Sequence, residues 1–188
     1  SARGVTVTAH IVDEEDLCRR AAEAKAEGDS VGGQIACAVT GLPAGIGGPD
    51  WREAVESEIA RHVFAIPAVK AVGFGEGEGF AALRGSQAND PLRTDGKAVW
   101  TETNHNGGIN GGITNGMPVT FTVTFKPTPS IARVQDSVSL SQGVDTKLEI
   151  HGRHDPCIVP RAVPCVEAAA AIAIYDAWLA RRGDTERT

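Results

Sequence analysis

The chain has 188 residues, 41 % of them hydrophobic and 22 % charged, with 22 glycines and a net charge of −6. This is ordinary globular composition, long enough to bury a proper core. The acidic balance excludes a broad basic face for nucleic acid, and no basic amphipathic helix is present for a membrane surface.

Val5 to His10 alternates apolar and polar residues and reads as a strand. Asp13 reads as the N-cap of a following helix, with Gly28 as its stop. Gln34 to Thr40 is a second strand with Ile35, Cys37 and Val39 on one face, followed by a Gly/Pro loop over Gly41 to Pro49. Asp50 and Glu53 resemble a capping box. The helix expected after them would carry Trp51, Val55, Ile59, Val63 and Ile66 on one stripe and end at Pro67. Val69 to Phe74 reads as a buried strand, and residues 75–118 as a long glycine-rich loop. Val119 to Lys126 is the cleanest strand, with Val119, Phe121, Val123 and Phe125 facing one way and Thr120, Thr122 and Thr124 the other. Two short strands are expected within Ser137 to Ile150, and a helix from Val163 to Arg182 capped by Gly183. Strands and helices do not alternate strictly, so the expected class is α+β: an antiparallel sheet layer packed on helices, in a single domain over 1–188.

Four cysteines, Cys18, Cys37, Cys157 and Cys165, form no C-x-x-C pair. They fit a reducing, cytoplasmic setting better than a disulfide scaffold. No uninterrupted apolar run reaches the ~18 residues of a membrane span.

Several stretches could carry chemistry. Gly73 to Gly79 fails the dinucleotide spacing, because its third glycine would fall at Glu78 or Phe80. Asn104 to Gly116 has no Walker lysine. Its glycines suit either close backbone approach to a ligand or a mobile surface loop. Lys126, Thr128 and Ser130, held by Pro127 and Pro129, offer one cation and two hydroxyls to a phosphate. His151, Arg153, His154, Asp155 and Cys157 form the densest titratable cluster and could bind an anion and move a proton, or be a charged turn before a helix. The same stretch with Cys165 has soft ligands but the wrong spacing for a zinc finger, and Cys165 is expected to be a small buried hydrophobe. No metal site is expected. His62 reads as packed or solvated, whereas His105, within the glycine-rich run, stays a candidate.

In order and spacing these blocks resemble chorismate synthase. The blocks are Gly28-Asp29-Ser30-Val31-Gly32-Gly33, Gly41 to Gly47, Ile66 to Lys70, Arg84-Gly85-Ser86 with Asn89-Asp90, Thr103 to Gly112, Lys126 to Ser130, and Gly152 to Cys157 extended by Arg161 to Pro164 and Glu167. The resemblance runs from about Gly28 to Leu179. It implies a lyase of the shikimate pathway that uses reduced FMN to eliminate phosphate from 5-enolpyruvylshikimate 3-phosphate, giving chorismate. It implies a homotetramer in which helices are sandwiched between antiparallel sheets. It implies flavin contacts at Pro67, Ala68, Gly111, Lys126, Pro127, Thr128, Pro129, Ser130 and Arg153, and catalytic roles for Arg153, Asp155 and His105. The family's amino-terminal E-S-H-G, R-P-G-H-A-D and R-S-S-A-R-E-T blocks are not present in full, although Ser1-Ala2-Arg3 resembles the middle of the third before Gly4 departs. The chain therefore reads as the carboxy-terminal portion of such an enzyme, probed first by asking whether it binds flavin at all.

Overall fold

A computed structural model describes residues 4–185, with side chains described as far as Arg181. Ser1-Ala2-Arg3 lie outside the described residues. In chain order the elements begin β1 (Thr6–Ile11), α1 (Glu14–Ala26), β2 (Gly33–Thr40), α2 (Val55–Phe64) and β3 (Val69–Phe74). A 3-10 turn (Gly77–Ala82), α3 (Gly85–Ala88), β4 (Leu92–Thr94), β5 (Val99–Thr101), β6 (Ile109–Asn110) and β7 (Ile113–Thr114) follow. The chain continues through β8 (Val119–Phe125), β9 (Gln135–Ser139), β10 (Val144–Leu148) and α4 (Val159–Thr185).

The main sheet is antiparallel throughout, in the order β1-β2-β8-β3. Its register sets Ile35 opposite Val123, Cys37 opposite Phe121 and Val39 opposite Val119, and all six are buried. Period-2 alternation thus puts one apolar face inward and the threonines outward, as the sequence pattern requires. Val55, Ile59 and Val63 of α2 and Val166, Ala170 and Ile174 of α4 close that face from above. Leu17 of α1 plugs one end against Gly33, where a Cβ would come within 3.0 Å of it. Helices on one face of an antiparallel sheet make this an α+β fold, as expected.

Several boundaries differ from the sequence expectation. The Asp50 side chain caps no helix: it binds the Arg52 amide and guanidinium, making a turn, and α2 starts only at Val55. Trp51 is consequently off the buried stripe and 76 % exposed, beneath the Arg52 guanidinium. Strand β3 is an edge strand, and only its Val69 is fully buried. Helix α4 starts four residues earlier than read: Pro160 sits in its first turn, where a missing amide is tolerated, and Pro164 lies inside the helix. It also runs through Gly183 rather than stopping there, and Cys165 lies on its exposed side. By length and composition Val159–Arg181 could cross a bilayer, but its inner face is the core of this sheet.

Residues 75–118 are not a structureless loop. Their glycines take positive φ where backbones touch: a Cβ on Gly75 would sit 1.8 Å from the His105 carbonyl, and one on Gly112 would sit 2.4 Å from the Gly48 carbonyl. Two polar side chains order the segment. Buried Thr114 accepts from the Ile46 amide (2.9 Å) and donates to the Pro43 carbonyl (2.8 Å), locking the Gly41–Gly47 loop onto β7. The Asp90 carboxylate, 3 % exposed, accepts from the Thr103 hydroxyl, the His105 and Asn106 amides and the Asn106 side chain. Burial pushes the Asp90 carboxyl up, but these hydrogen bonds outweigh burial and hold it at about 2.

Thr114→Val leaves the Ile46 amide and Pro43 carbonyl without a buried partner and should cost about 1–3 kcal/mol in urea unfolding. A carboxyl whose pKa is lowered by folding stabilises fully above its unfolded value near 4, and that stability fades as pH falls towards 2. Asp90→Asn should therefore cost about 2 kcal/mol at pH 7. The gap from wild type should narrow between pH 4 and pH 3, and a constant gap across that range would contradict this account.

Candidate functional site

At the carboxyl end of β8 four of the sequence blocks meet. The Lys126 amide donates to the Ala68 carbonyl at 2.9 Å, joining Pro67-Ala68 to the Lys126–Ser130 turn. Ala68 is held at φ 73, a left-handed conformation that costs a non-glycine residue roughly 1–2 kcal/mol and marks a point fixed by its surroundings. The Gly28–Gly33 block clamps the other side of the turn. The Ser30 hydroxyl donates to the Thr128 carbonyl (2.7 Å), the Ala132 amide to the Gly28 carbonyl (2.9 Å), and Arg133 pairs with Asp29 (3.0 Å). Gly32 crosses the end of the strand so closely that a Cβ would lie 2.2 Å from the Phe125 carbonyl. The Val31 amide then donates to the Pro156 carbonyl (2.8 Å), which brings in the Gly152–Cys157 block. A cavity of about 170 Å³ lies between Lys25, Gly28, Asp29, Gly152, His154 and Pro156.

The side chains at this end are poised for an anion. Lys126 and Arg153 are exposed, and among the described residues neither has an ion-pair partner. The Thr128 hydroxyl oxygen is buried with no hydrogen-bond partner. A cation, an orphaned hydroxyl and a rigid proline turn fit a phosphate monoester. Asp155 is paired with Arg161, one turn into α4. His154 is bound through Nε2 to the Ile150 carbonyl (3.1 Å). Burial pushes the Cys157 thiol up, which disfavours the thiolate that a metal ligand or nucleophile would need. His151 and Cys165 are exposed and make no cluster with His154 and Cys157, so this stretch does not assemble the zinc set weighed from its spacing.

His105 and Gly111 lie elsewhere. The His105 carbonyl accepts from the Glu76 amide (2.9 Å), and its Nδ1 lies 3.1 Å from Asp90 Oδ1 without the alignment of a hydrogen bond. Beside it Asn104 donates to the Pro118 carbonyl, while its own Oδ1 is buried without a partner. Gly111 sits at φ 58 in the exposed β6–β7 turn with open space where a Cβ would be. No hydrogen bond or ion pair among the described residues joins this group to Arg153 or Asp155. Both belong to the amino end of β8, where the Gly75 amide donates to the Thr120 carbonyl and the Thr120 amide to that of Gly107.

Sequence reasoning gave Asp90 a place in a motif but no role. The signal was present: an acid after a short helix, facing a His-Asn-Gly turn whose amides need an acceptor. Glu167, noted only as an extension of a motif, accepts from the Ala9 amide of β1 (2.9 Å) and ties α4 to the sheet. No sequence pattern announces that contact, which spans most of the chain.

The sequence matches the chorismate synthase family profile over residues 5–179. It is 49 % identical to the chorismate synthase of Thermococcus kodakarensis over 173 residues, which covers 92 % of this chain and 46 % of that protein. It is 44 % identical to that of Opitutus terrae over 172 residues, covering 90 % of this chain and 46 % of that protein. The chain thus spans about half the length of the curated relatives it matches. A chorismate synthase crystal structure superposes with a TM-score of 0.76 at 24 % identity, covering 95 % of this chain and 58 % of that one, and shares its fold. Matched along nearly all its length in sequence and in fold, the chain belongs to the chorismate synthase family.

Proposed function

We propose that this chain supplies the flavin- and phosphate-binding portion of a cytoplasmic chorismate synthase and corresponds to the family's carboxy-terminal half. The observation that carries this reading is the Lys126–Ser130 turn, fixed to Ala68 and Ser30, with the exposed Lys126 at its start and the Thr128 hydroxyl buried and unpartnered. When bound, reduced FMN would supply the transient electron density that helps phosphate leave 5-enolpyruvylshikimate 3-phosphate, with no net redox change.

The protein's own residues have separate tasks in that reaction. Lys126, Thr128 and Ser130 hold a phosphate monoester in the turn, with Pro127 and Pro129 limiting its motion. Pro67 and Ala68 offer backbone contacts at the same end. The Arg153 guanidinium stabilises charge that develops on the departing phosphate. Asp155, oriented by Arg161, accepts and returns a proton. His105, steadied by Asp90, is a second proton carrier, and Gly111 leaves room for a flat ring.

The two ends of β8 are separated by roughly 20 Å, six residues at about 3.4 Å each. Within one chain only a ligand extended over about that distance would touch both groups. In a homotetramer, His105 of one copy could approach the Lys126 end of another. A second reading rests on the exposed stripe of α4, where Ile172 and Tyr175 are 53 % and 54 % exposed. On that reading the chain alone is a folded but non-catalytic piece that binds flavin weakly until the remainder of the enzyme covers this face.

Titrating FMN into the chain and following flavin fluorescence separates the two. Under the first reading FMN binds and Arg153→Ala weakens it at least tenfold without changing the melting temperature, since Arg153 is exposed. Equal affinity in the variant would remove Arg153 from the site. Absence of binding, with elimination restored on adding the family's amino-terminal half in trans, would favour the second.

A further inference from the structure

A second cluster of ligating groups lies outside this site, on the seam between α2 and α4. Glu58 and His62 stand one turn apart on α2, and Asp176 reaches them from α4. One donor atom from each lies within 4.8 Å of the others, the one such group of His, Cys, Asp and Glu among the described residues. Glu58 and His62 are 17 % and 19 % exposed at their side chains, whereas Asp176 is exposed. We propose that this seam is a binding site for a divalent transition-metal cation of the zinc class.

Three features favour a metal over a chance meeting of side chains. The first is histidine orientation: His62 Nδ1 lies 2.9 Å from the Glu58 main-chain carbonyl, and a carbonyl can only accept. The ring proton therefore sits on Nδ1, which is also 3.4 Å from Glu58 Oε1, and a neutral ring keeps on Nε2 the lone pair that a cation would take. Metal-binding histidines are oriented by this kind of bond. The second is donor chemistry: one imidazole nitrogen and two carboxylates suit zinc and its neighbours better than calcium or magnesium, which want oxygen alone. The third is access: a cavity of about 270 Å³ opens beside the two carboxylates, lined by Glu58, Asp176, Glu53, Arg52 and Arg181, with room for water to complete the coordination shell.

The charge of the cluster is at present met in part by Arg61. Its guanidinium pairs with Glu58 and feels the charge of Asp176, but its side chain is 66 % exposed. A bound cation would take over that role, and Arg61 would swing into solvent. Arg61 is thus a competitor for the site, which gives the proposal a signature that a purely structural ion pair lacks.

The test is isothermal titration calorimetry of the chain with zinc chloride, alongside His62→Gln and Arg61→Gln. Glutamine at 62 keeps the volume and a donor for the Glu58 carbonyl but is a poor zinc ligand. Melting curves of both variants in EDTA should match wild type. One Zn²⁺ per chain is expected in wild type, with at least tenfold weaker binding in His62→Gln and tighter binding in Arg61→Gln. No stoichiometric zinc in wild type, or the same affinity in either variant, would overturn the proposal. Unchanged affinity in His62→Gln would assign the metal to His151, His154 or the cysteines instead.

Discussion

The structure depends on β8. It is paired on both sides, with β2 and with β3, and every second residue from Val119 to Phe125 is buried. A slip of one residue would bring Thr120, Thr122 and Thr124 into the core and put two phenylalanines into water, so the register is fixed by the hydrophobic pattern. Each end of this rigid strand carries one group of the candidate site residues. At its start, Gly75 and Gly107 pack on the Thr120 main chain, and the Asp90-bound turn follows from them. At its end, the Lys126 amide meets Ala68, and Gly32 lies across the Phe125 carbonyl. The geometry of both groups is inherited from the strand rather than created by the loops. This explains the glycines at 32, 75 and 107: each stands where another backbone must touch the strand or the turn beside it.

What could be read in the sequence follows from how local the deciding interaction is. Strands β1, β2 and β8, the Asp13 cap and the α2 stripe from Val55 to Val63 are set by neighbours a few residues away, and their patterns were plain. The Asp50 capping box misled because the same carboxylate can hold an amide two residues on in a turn, and Arg52 tips the balance by binding it as well. The start of α4 was hidden because a proline reads as a break, although it is tolerated in a first turn. The composition of 75–118 looked like a loop because its order comes from Asp90 and Thr114, single polar side chains that act over distances of 13 to 71 residues. The site was legible as motifs, since each block has its own residue pattern. Its division between two ends of a strand was not, because spacing along the chain says nothing about which end of β8 a block will reach.

Helix α4 shows how the division of faces bears on assembly. Its inner side, with Val159, Ala162, Val166, Ala170, Ala173 and Ile174, completes the core and is shielded from water. Its outer side is also apolar, with Ile172, Tyr175 and Leu179 each about half exposed at helical spacing. A helix with two apolar sides belongs between two layers, and only one of them is present among the described residues. The polar members of that helix are placed accordingly: Glu167 turns inward to the Ala9 amide at the sheet edge, while Asp176 reaches sideways towards α2. The seam between α2 and α4 is therefore one place where this helix presents charge to a neighbour it already has. The outer stripe presents hydrocarbon to a neighbour that about half of a relative's length would be available to supply.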